Sequence, residues 1–162
     1  MAGTRRGANL DELRAIYEGR LPELTRVAAA IVGDREAARD VVQEAFVRAV
    51  KSRRSFDGSG ELGGWVWRIV VNAARDERSR RRDVLAEVPE PEPCDDDGRR
   101  GHVREAVEQL PERQRLVLFL RYYADLDYRQ IAQAVSIGEG TVGATLHAAH
   151  ERLRGLLSEV TR

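Results

Sequence analysis

Residues 138–157 read GEGTVGATLHAAHERLRGLL, and their apolar positions have the period of an α-helix. These positions recur at steps of four and three, which places their side chains on one face. They are Val142, Leu146, Ala149, Leu153 and Leu156. A helix that reads DNA normally has Arg, Lys, Asn or Gln on the side that faces the groove. This helix instead has Gly143, Ala144, Thr145 and Ala148 there, which offer little polar chemistry to a base.

A second helix is predicted directly before this one. Residues 128–135 have helical spacing, and Asp127 with Gln130 has the pattern of a capping box at their start. The three residues 136–138 between the two helices have the length of a helix-turn-helix corner. Two further helical runs precede them, at 103–110 and 112–123. The sequence therefore predicts a four-helix domain of the helix-turn-helix type, which favours DNA binding without defining a regulatory role.

The first half of the chain is also predicted to be helical, because apolar residues recur at three and four and no alternating strand pattern persists. The predicted helices are 11–17, 21–32, 35–52 and 64 to about 82. Gly33 ends the second of these runs, and Asp34 is the predicted N-cap of the third. Residues 56–64, FDGSGELGG, contain too many glycines for a helix and are predicted to form a loop.

Composition divides the chain into two parts. Residues 86–101, AEVPEPEPCDDDGRRG, contain three prolines, six acidic residues and two basic ones. Such a segment cannot bury a core and is predicted to be a flexible linker. The predicted fold is therefore all-α, with two small helical domains at 1–84 and 102–162 joined by an acidic linker at 85–101. Each domain has room for only a small core.

The sequence argues against several classes of protein. No apolar run approaches the roughly 18 residues of a membrane span, and the N-terminus lacks the apolar core of a signal peptide, so we expect a cytoplasmic protein. The single cysteine, Cys94, allows no internal disulfide framework. His147 and His150 have no third ligand nearby in sequence, so neither a metal site nor a cofactor is predicted. The sequence contains no nucleophile with a base and no phosphate-binding glycine loop, which argues against an enzyme.

Residues 35–52 separate into two faces. The apolar stripe consists of Val42, Ala45, Phe46 and Ala49, with Val41 and Val50 beside it. The polar residues outside this stripe are Asp40, Gln43, Glu44, Arg48 and Lys51. Taken alone, this pattern is more typical of a solvated face with ion pairs than of a docking surface for a partner.

Residues 65–83, WVWRIVVNAARDERSRRRD, have a polar stripe with helical spacing. It consists of Arg68, Asn72, Arg75, Ser79 and Arg82, and the run Arg80, Arg81, Arg82 ends it. The residues predicted to enter the core are Val66, Ile69, Val70, Ala73 and Ala74. Arginines also suit the C-terminus of a helix because of its dipole. Continuity with a glycine loop flanked by Phe56 and Trp65 nevertheless favours phosphate contacts beside a base-stacking pocket.

Four segments in this order resemble the bacterial extracytoplasmic-function (ECF) sigma factors of the sigma-70 superfamily. They are ARDVVQEAFVRAV at 38–50, WVWRIVVNAARDERSRRR at 65–82, LPERQRLVLFLRYYADLDYRQIA at 110–132, and GEGTV with LHAAHERL within 138–153. The resemblance covers about 21–157. It implies a factor that binds core RNA polymerase and directs it to promoters, while the polymerase provides the chemistry.

The resemblance implies several protein contacts. Asp40, Gln43 and Glu44 match the family's contacts to the clamp helices of the largest polymerase subunit, and the second domain is expected to meet the beta flap. The linker would run through the polymerase cleft toward the RNA exit path. The family commonly has an anti-sigma factor that binds between the two domains, although nothing in the sequence identifies one.

The resemblance also implies contacts to the minus-ten promoter element. Phe56 and Asn72 match positions that help capture a base flipped out of this element, and residues 57–64 would set sequence preference. Such capture needs an apolar wall and an amide that can pair with a base edge. The residues expected to hold nearby phosphates are Arg68, Arg75, Arg80, Arg81 and Arg82. Trp65 matches a tryptophan that is expected to be structural.

The second domain is expected to bind the minus-thirty-five element, and there the sequence departs from its relatives. The candidate contact residues are Arg129, Thr141, Gly143, Ala144, Thr145, His147, Ala148 and Arg152. Relatives commonly have Lys or Arg at positions 143 and 145, and often at 148 and 150. Ser136 also stands where a glycine is usual, and Gly138 where a serine cap is usual. We therefore hypothesise that this element is read weakly or by shape, with the first domain providing more of the specificity.

Two other classes of protein remain open at this point. A stand-alone helix-turn-helix regulator would bind duplex DNA without polymerase, but it would leave the 40–44 cluster and the 56–64 loop without a purpose. A sigma-like decoy would occupy polymerase or a regulator without reading a promoter, and the bare recognition helix favours it. Transcription with purified core polymerase separates all three classes.

Overall fold

The computed structural model describes residues 7–84 and 98–160. Its elements in these ranges are α1 (Leu10–Val32), α2 (Arg35–Ser52), a 3-10 helix (Arg53–Ser55), α3 (Leu62–Val84), α4 (Gly98–Glu108), α5 (Glu112–Tyr122), α6 (Tyr128–Val135) and α7 (Glu139–Val160). The predicted all-α fold is confirmed. Most of the predicted linker, including Cys94, lies outside the described residues.

α1 is one continuous helix, so the prediction of two separate runs at 11–17 and 21–32 is wrong. Pro22 lies inside it and has no N–H to donate to the preceding turn, which normally kinks or breaks a helix. Leu13 and Leu24 are buried on the two sides of the proline. Burial on both sides stabilises a continuous helix against the local preference to stop.

The junction between α1 and α2 forms as predicted. Gly33 has a φ of 85°, and its N–H donates to the carbonyl of Ala29 at 2.8 Å. The carboxylate of Asp34 accepts from the backbone N–H groups of Glu36 and Ala37 at 2.8 and 3.2 Å. Because these caps are local, α2 has the predicted bounds of 35–52.

The first domain is a bundle of α1, α2 and α3. The predicted apolar stripe of α2 is buried, although Val50 at its edge is 37% exposed. α3 packs against α1, α2 and α6. More of its circumference is therefore buried than the predicted stripe: Trp67 and Val71, which that stripe omits, are 1% and 0% exposed.

The second domain is formed by α4–α7, with α6 and α7 as the helix-turn-helix. The capping box of Asp127 and Gln130 is present, and α6 has the predicted bounds. Ser136 ends α6 in the left-handed region with a φ of 56°. This conformation costs a non-glycine residue about 1–2 kcal/mol, which explains why a glycine suits the position better. α4 begins at Gly98, five residues before the predicted start at 103.

The two domains pack against each other, α6 against α3 and α5 against α1. Their buried apolar side chains form one continuous cluster. Among the described helices, none combines the length and apolar character that a membrane crossing requires. The outer faces of α2, α3 and α7 remain accessible between and around these contacts.

Candidate polymerase and nucleic-acid interfaces

The outer side of α2 presents Asp40, Gln43 and Glu44, which are all exposed. Because the resemblance matches them to polymerase contacts, we call these three residues the polymerase face. Their spacing of three and one places them on neighbouring positions of one helical surface. Glu44 accepts a hydrogen bond from Arg48 at 2.6 Å, and Arg48 also lies 3.6 Å from Asp76 of α3. The guanidinium of Arg48 thus links the polymerase face to the neighbouring helix.

A groove of about 370 Å³ lies beside the polymerase face, between the start of α2 and the end of α3. Its lining includes the acidic residues Asp34, Glu36, Asp40, Glu44 and Glu77, and the basic residues Arg80 and Arg81. Carboxylates therefore outnumber guanidinium groups around this groove. Such a surface suits a partner that presents a basic side chain.

Two of the predicted phosphate ligands at the end of α3 are engaged in ion pairs. Arg81 lies 3.0 Å from Asp34 and 3.1 Å from Glu77, and Arg80 lies 2.5 Å from Glu77. The N–H of Ala37, the guanidinium of Arg81 and the N–H of Glu36 lower the pKa of Asp34. Hydrogen bonding to Asp34 in turn raises the pKa of Arg81. Arg81 therefore joins the start of α2 to the end of α3.

The polar stripe of α3 lies on the surface, as its spacing predicts. Its members Arg68, Asn72, Arg75, Ser79 and Arg82 are all exposed. Trp65 precedes Asn72 by seven residues, about two helical turns, and so lies on the same side of α3. The stripe thus starts next to an aromatic residue and continues as alternating cationic and neutral polar groups.

The segment before α3 supplies a second aromatic group. The ring centroids of Phe56 and Trp65 are 5.6 Å apart, with an interplanar angle of 53°. Both side chains are half-buried and pack against the core. The predicted loop is shorter than expected, because α3 begins at Leu62, and we call residues 56–61 the glycine loop. Gly58 has a φ of 75°, and Asp57 accepts from the N–H of Ser59 at 2.9 Å, so this loop forms a tight turn.

The recognition helix α7 has the two faces that its sequence predicts. Val142, Leu146 and Ala149 are buried. The exposed candidate contact residues of the second domain are Arg129, Thr141, Ala144, His147, Ala148 and Arg152, whereas Gly143 and Thr145 are partly buried. The hydroxyl of Thr145 donates to the carbonyl of Thr141 at 2.6 Å, within its own helix. The central part of this face is therefore as bare as the sequence indicates.

Gly143 and His150 have structural surroundings that the sequence did not predict. A Cβ atom added to Gly143 would lie 3.5 Å from the ring of Tyr128, an ordinary van der Waals contact, so packing does not require glycine there. His150 Nε2 lies 2.9 Å from the hydroxyl of Tyr122. The imidazole of His150 therefore has a partner within its own domain.

Contacts between the two domains are the part of the site that sequence reasoning missed. Arg20 donates to the carbonyl of Ala124 at 3.0 Å, and Arg75 lies 3.3 Å from Glu112. Helical periodicity reports which face of a helix is buried, but it does not say what buries that face. No local pattern could therefore have indicated these partners.

Comparison with known families and proteins agrees with this two-domain architecture. Residues 16–84 match the family Sigma-70 region 2, and residues 100–153 match the family Sigma-70, region 4. The ECF RNA polymerase sigma factor SigL of Mycobacterium tuberculosis is 32% identical over 159 residues, which cover 91% of this chain and 90% of the relative. The ECF RNA polymerase sigma factor EcfG of Rhodopseudomonas palustris is 30% identical over 159 residues, covering 91% of this chain and 86% of the relative.

Solved structures show the same fold. The sigma factor RpoE of Bartonella quintana, in complex with the anti-sigma factor NepR, superposes with a TM-score of 0.69 at 21% identity, covering 92% of this chain and 98% of that chain. CnrH in complex with the cytosolic domain of CnrY gives a TM-score of 0.71 at 22% identity, covering 94% and 91%.

The chain belongs to the sigma-70 family, within its extracytoplasmic-function class. Sigma factors act with RNA polymerase in promoter-specific transcription initiation and are not enzymes. This chain is therefore a transcription initiation factor, and the expectation of a non-enzymatic protein is confirmed by its family.

Proposed function

We propose that this sigma factor binds core RNA polymerase, directs it to promoters, and helps to melt them by capturing a flipped base of the minus-ten element. The observation that carries this proposal is the polar stripe of α3, which begins beside the contacting aromatic rings of Phe56 and Trp65. Its place of action is then the cytoplasm, where polymerase and chromosome are found together.

Polymerase binding is assigned to the polymerase face and the adjoining acidic groove. Asp40 and Glu44 combine two exposed carboxylates with the exposed amide of Gln43. The groove adds further carboxylates within the same surface. A partner helix with basic and amide side chains matches this chemistry, because opposite charges steer association and set the orientation of binding. The clamp helices of the largest subunit are the proposed partner, and the beta flap is proposed to bind the second domain.

Base capture is assigned to Phe56 and Asn72, with the glycine loop setting sequence preference. Phe56 is held by its contact with Trp65 and offers an aromatic surface for stacking. An aromatic–base stack contributes about 1–3 kcal/mol. The exposed amide of Asn72 can both donate to and accept from a base edge, which apolar stacking alone cannot do.

Phosphate binding near the flipped base is assigned first to Arg68 and Arg82, which are exposed. Arg75 is exposed as well, but it reaches a phosphate only after releasing Glu112. Arg80 and Arg81 reach a phosphate only after releasing Glu77 or Asp34. Each phosphate neutralised by an arginine releases condensed counterions, so this part of the affinity falls as salt rises. The stripe therefore supplies affinity, while the loop and Asn72 supply sequence preference.

The second domain is assigned to the minus-thirty-five element, which it reads weakly. Its exposed contact candidates contain two arginines, Arg129 and Arg152, and several small residues. Small side chains allow close approach to the groove and contact with thymine methyl groups, but they add no bidentate base contact. Readout there consequently rests on shape and on tethering through the first domain.

An anti-sigma factor is proposed as a further partner. The solved relatives RpoE and CnrH are described in complexes with NepR and with the cytosolic domain of CnrY. Both share the two-domain fold over more than nine-tenths of this chain. A protein that binds between or across the two domains would compete with polymerase for the same sigma factor.

Run-off transcription tests the proposal. Purified protein is added to core polymerase on genomic fragments, and the start sites are sequenced. Defined start sites that share an upstream sequence are expected. Polymerase binding without transcripts would favour a decoy, which the bare face of α7 supports, and DNA binding without polymerase would favour a stand-alone regulator.

A matched pair of charge reversals tests the polymerase face. Asp40→Arg is expected to weaken core binding at least tenfold, since it places a cation where a basic partner docks. Glu18→Arg makes the same change in charge on exposed α1 and is expected to leave core binding unchanged. Equal effects of the two variants would exclude the polymerase face as the docking site.

A further inference from the structure

Four arginines gather where α3 of the first domain faces α5 of the second. Arg75, Arg78 and Arg82 follow one another at steps of three and four, so they lie on one side of α3. Arg115 lies on α5, one turn after Glu112, whose carboxylate is 3.3 Å from Arg75. Burial, followed by the charges of Arg82, Arg115 and Arg75, lowers the pKa of Arg78. We call these four arginines the arginine cluster, and its guanidinium groups are close enough to repel one another.

The negative charge around the arginine cluster falls short of its positive charge. The carboxylate of Glu112 opposes the lowering of the pKa of Arg78. Asp76 and Glu77 belong to the same stretch of α3, but they pair with arginines outside the cluster. The described carboxylates therefore balance the charge of the cluster only in part. A site with an excess of positive charge attracts a further anion.

The arginine cluster borders a crevice that also has apolar walls. Arg75, Arg78 and Arg115 line this crevice together with the buried side chains of Ile31 on α1 and Leu116 on α5. The enclosed space is about 10 Å³, at the lower limit of what one water molecule needs, so an anion has room at the mouth and not inside. Apolar walls lower the local dielectric constant, which strengthens the attraction between guanidinium groups and an anion.

Two members of the arginine cluster have restricted positions before any ligand binds. Nη1 of Arg115 donates to the carbonyl of Glu108 at 3.1 Å, which uses one of the five N–H donors of its guanidinium group. Arg78 is partly buried between the helices. An anion therefore binds side chains that have already lost part of their freedom, which lowers the entropic cost of binding.

The chemistry of the arginine cluster favours phosphate groups. The planar guanidinium group donates two parallel hydrogen bonds to a pair of phosphate oxygens, a match that a lysine ammonium cannot make. Four guanidinium groups on two helices exceed what a single phosphate can engage, and they suit several phosphates in a row. α5 also begins at this point, and the partial positive charge of a helix N-terminus favours an anion.

We infer that the arginine cluster binds an oligophosphate, which is either the triphosphate chain of a nucleotide or the same chain as a free inorganic ion. The phosphates take the place of the Glu112 carboxylate beside Arg75 and reach Arg78 and Arg115. One ligand thereby contacts both domains. The site goes beyond the proposed function, because Arg78 and Arg115 have no part in the proposed promoter contacts.

Isothermal titration calorimetry of the full chain with tripolyphosphate tests the site. The wild type is expected to bind at a single site. Arg78→Gln and Arg115→Gln each remove one charged donor and are expected to weaken binding at least about fivefold. Arg113→Gln removes the same charge from the exposed surface of α5 and is expected to change the affinity less than about twofold. No binding at millimolar tripolyphosphate, or equal losses in all three variants, would overturn the inference.

Removal of the competing carboxylate has the opposite expected effect. Glu112→Gln nearly preserves the size of the side chain, leaves Arg75 without this partner, and is expected to tighten tripolyphosphate binding about three- to tenfold. Glu105→Gln removes the same charge from exposed α4 and is expected to have little effect. A gain in affinity cannot result from a folding defect, so this pair keeps the test valid if an arginine variant is unstable. Unchanged or weaker binding by Glu112→Gln would contradict a phosphate site beside Arg75.

Titrations with inorganic phosphate and ATP, in magnesium-free buffer, define the ligand. Inorganic phosphate engages fewer donors and is expected to bind at least about tenfold more weakly than tripolyphosphate, and equal affinities would overturn an oligophosphate site. The ring of Phe119 lines the crevice, 5.4 Å from the ring of Tyr123. If ATP binds more tightly than tripolyphosphate and Phe119→Leu removes the difference, the ligand is a nucleotide. Equal affinities for ATP and tripolyphosphate identify the phosphate chain alone.

A DNA titration separates this site from the proposed promoter contacts. Arg78→Gln and Arg115→Gln are expected to bind a short random-sequence single strand no more weakly than Arg113→Gln does. A larger loss in the first two variants would assign the arginine cluster to DNA and reject the oligophosphate site. If run-off transcription by the wild type fails while the tripolyphosphate titrations succeed, the proposed function fails and the oligophosphate site stands.

Discussion

α3 and α7 are helices of similar length, 23 and 22 residues, each with one exposed face, and each belongs to a small helical domain proposed to bind DNA. Their outer faces nevertheless differ in chemistry. α3 presents an exposed arginine or polar group at nearly every turn, whereas the exposed contact candidates at the centre of α7 are Ala144, His147 and Ala148, with no arginine or lysine among them. The helix-turn-helix of the second domain is thus the more familiar DNA-binding architecture, while the first domain has the more suitable chemistry. Architecture alone does not show which domain provides the binding energy.

This difference between α3 and α7 predicts a division of labour: the first domain contributes more of the promoter-binding free energy than the second. Each arginine–phosphate contact adds a salt-dependent contribution to affinity, and most candidates for such contacts lie on α3. A weak reader still contributes when it is tethered close to its target, because tethering raises its effective concentration. We therefore expect substitutions in the first domain to have larger effects on transcription than substitutions on α7.

The largest effect is expected from Phe56→Ala. Loss of a stacked base costs about 1–3 kcal/mol, which corresponds to about 5- to 150-fold less run-off transcript under limiting conditions. The matched change on α7, Thr145→Ala, removes a hydroxyl already bonded within its helix and is expected to have little effect. Because Phe56 also packs on Trp65, Phe56→Leu and a thermal unfolding curve separate stacking from stability. Equal losses for Phe56→Ala and Thr145→Ala would contradict the division of labour.

The next effect distinguishes two neighbouring arginines of α3. Arg82→Ala is expected to reduce the salt dependence of promoter binding by the holoenzyme, lowering the slope of log K against log salt by about 0.7–0.9. Arg81 is paired with Asp34 and Glu77, so Arg81→Ala is expected to change that slope less and to lower thermal stability more. Filter binding across a salt series measures both slopes. A larger change in slope for Arg81→Ala would show that its ion pairs open on DNA.

A smaller gain is expected when charge is added to the recognition helix. Thr145→Arg supplies one new cation near the upstream element and is expected to raise transcription about three- to tenfold from promoters that depend on this element. Ser158→Arg adds the same charge to exposed α7 far from its N-terminal half and serves as the control. Run-off assays on promoters with and without the upstream element measure the change in transcript yield for each variant. No gain, or an equal gain from both variants, would show that the bare face of α7 does not limit its affinity.

The smallest effect on transcription, with a defined effect on stability, is expected from Asp34→Ala. Loss of an N-cap lowers the free energy of unfolding by about 1 kcal/mol. Asp34→Asn retains a good cap and loses mainly the negative charge that pairs with Arg81.

The contribution of Asp34 to stability also depends on pH. Because folding lowers the pKa of Asp34, the ionised carboxylate stabilises the fold at pH values above its unfolded pKa of about 3.9. This stabilisation is lost as the pH falls through the pKa of Asp34 in the folded protein. The stability difference between wild type and Asp34→Ala, measured by urea unfolding, should therefore shrink below about pH 4. A difference that grows in acid would contradict this assignment.

Local signals decided how much of the fold could be predicted. α2 and α6 have their predicted bounds because Asp34 and Asp127 cap them through side chains only two or three residues away. α1 continues through Pro22 because apolar packing on both sides of the proline outweighs its local preference. That packing depends on residues distant in sequence, so the proline alone could not decide whether the helix ends.

The candidate site divides in the same way. The exposure of Asp40 and of the polar stripe of α3, which includes Asn72, follows from the helical periodicity of the sequence. The pairing of Arg81 with Asp34, 47 residues earlier, depends on how two helices meet. The contacts of Gln133 with Gly60 and Gly64 depend on how two domains meet. The sequence therefore predicted which side of each helix is exposed, but it did not predict which distant residues contact that side.

The most direct test of the division of labour is run-off transcription from one promoter in two scrambled forms. One form has a scrambled minus-ten element and the other a scrambled minus-thirty-five element, with the spacing unchanged. We predict that the first form loses nearly all transcript, while the second retains a substantial fraction. Complete loss of transcript from the second form, at a level equal to the first, would contradict the claim that the first domain carries most of the promoter recognition.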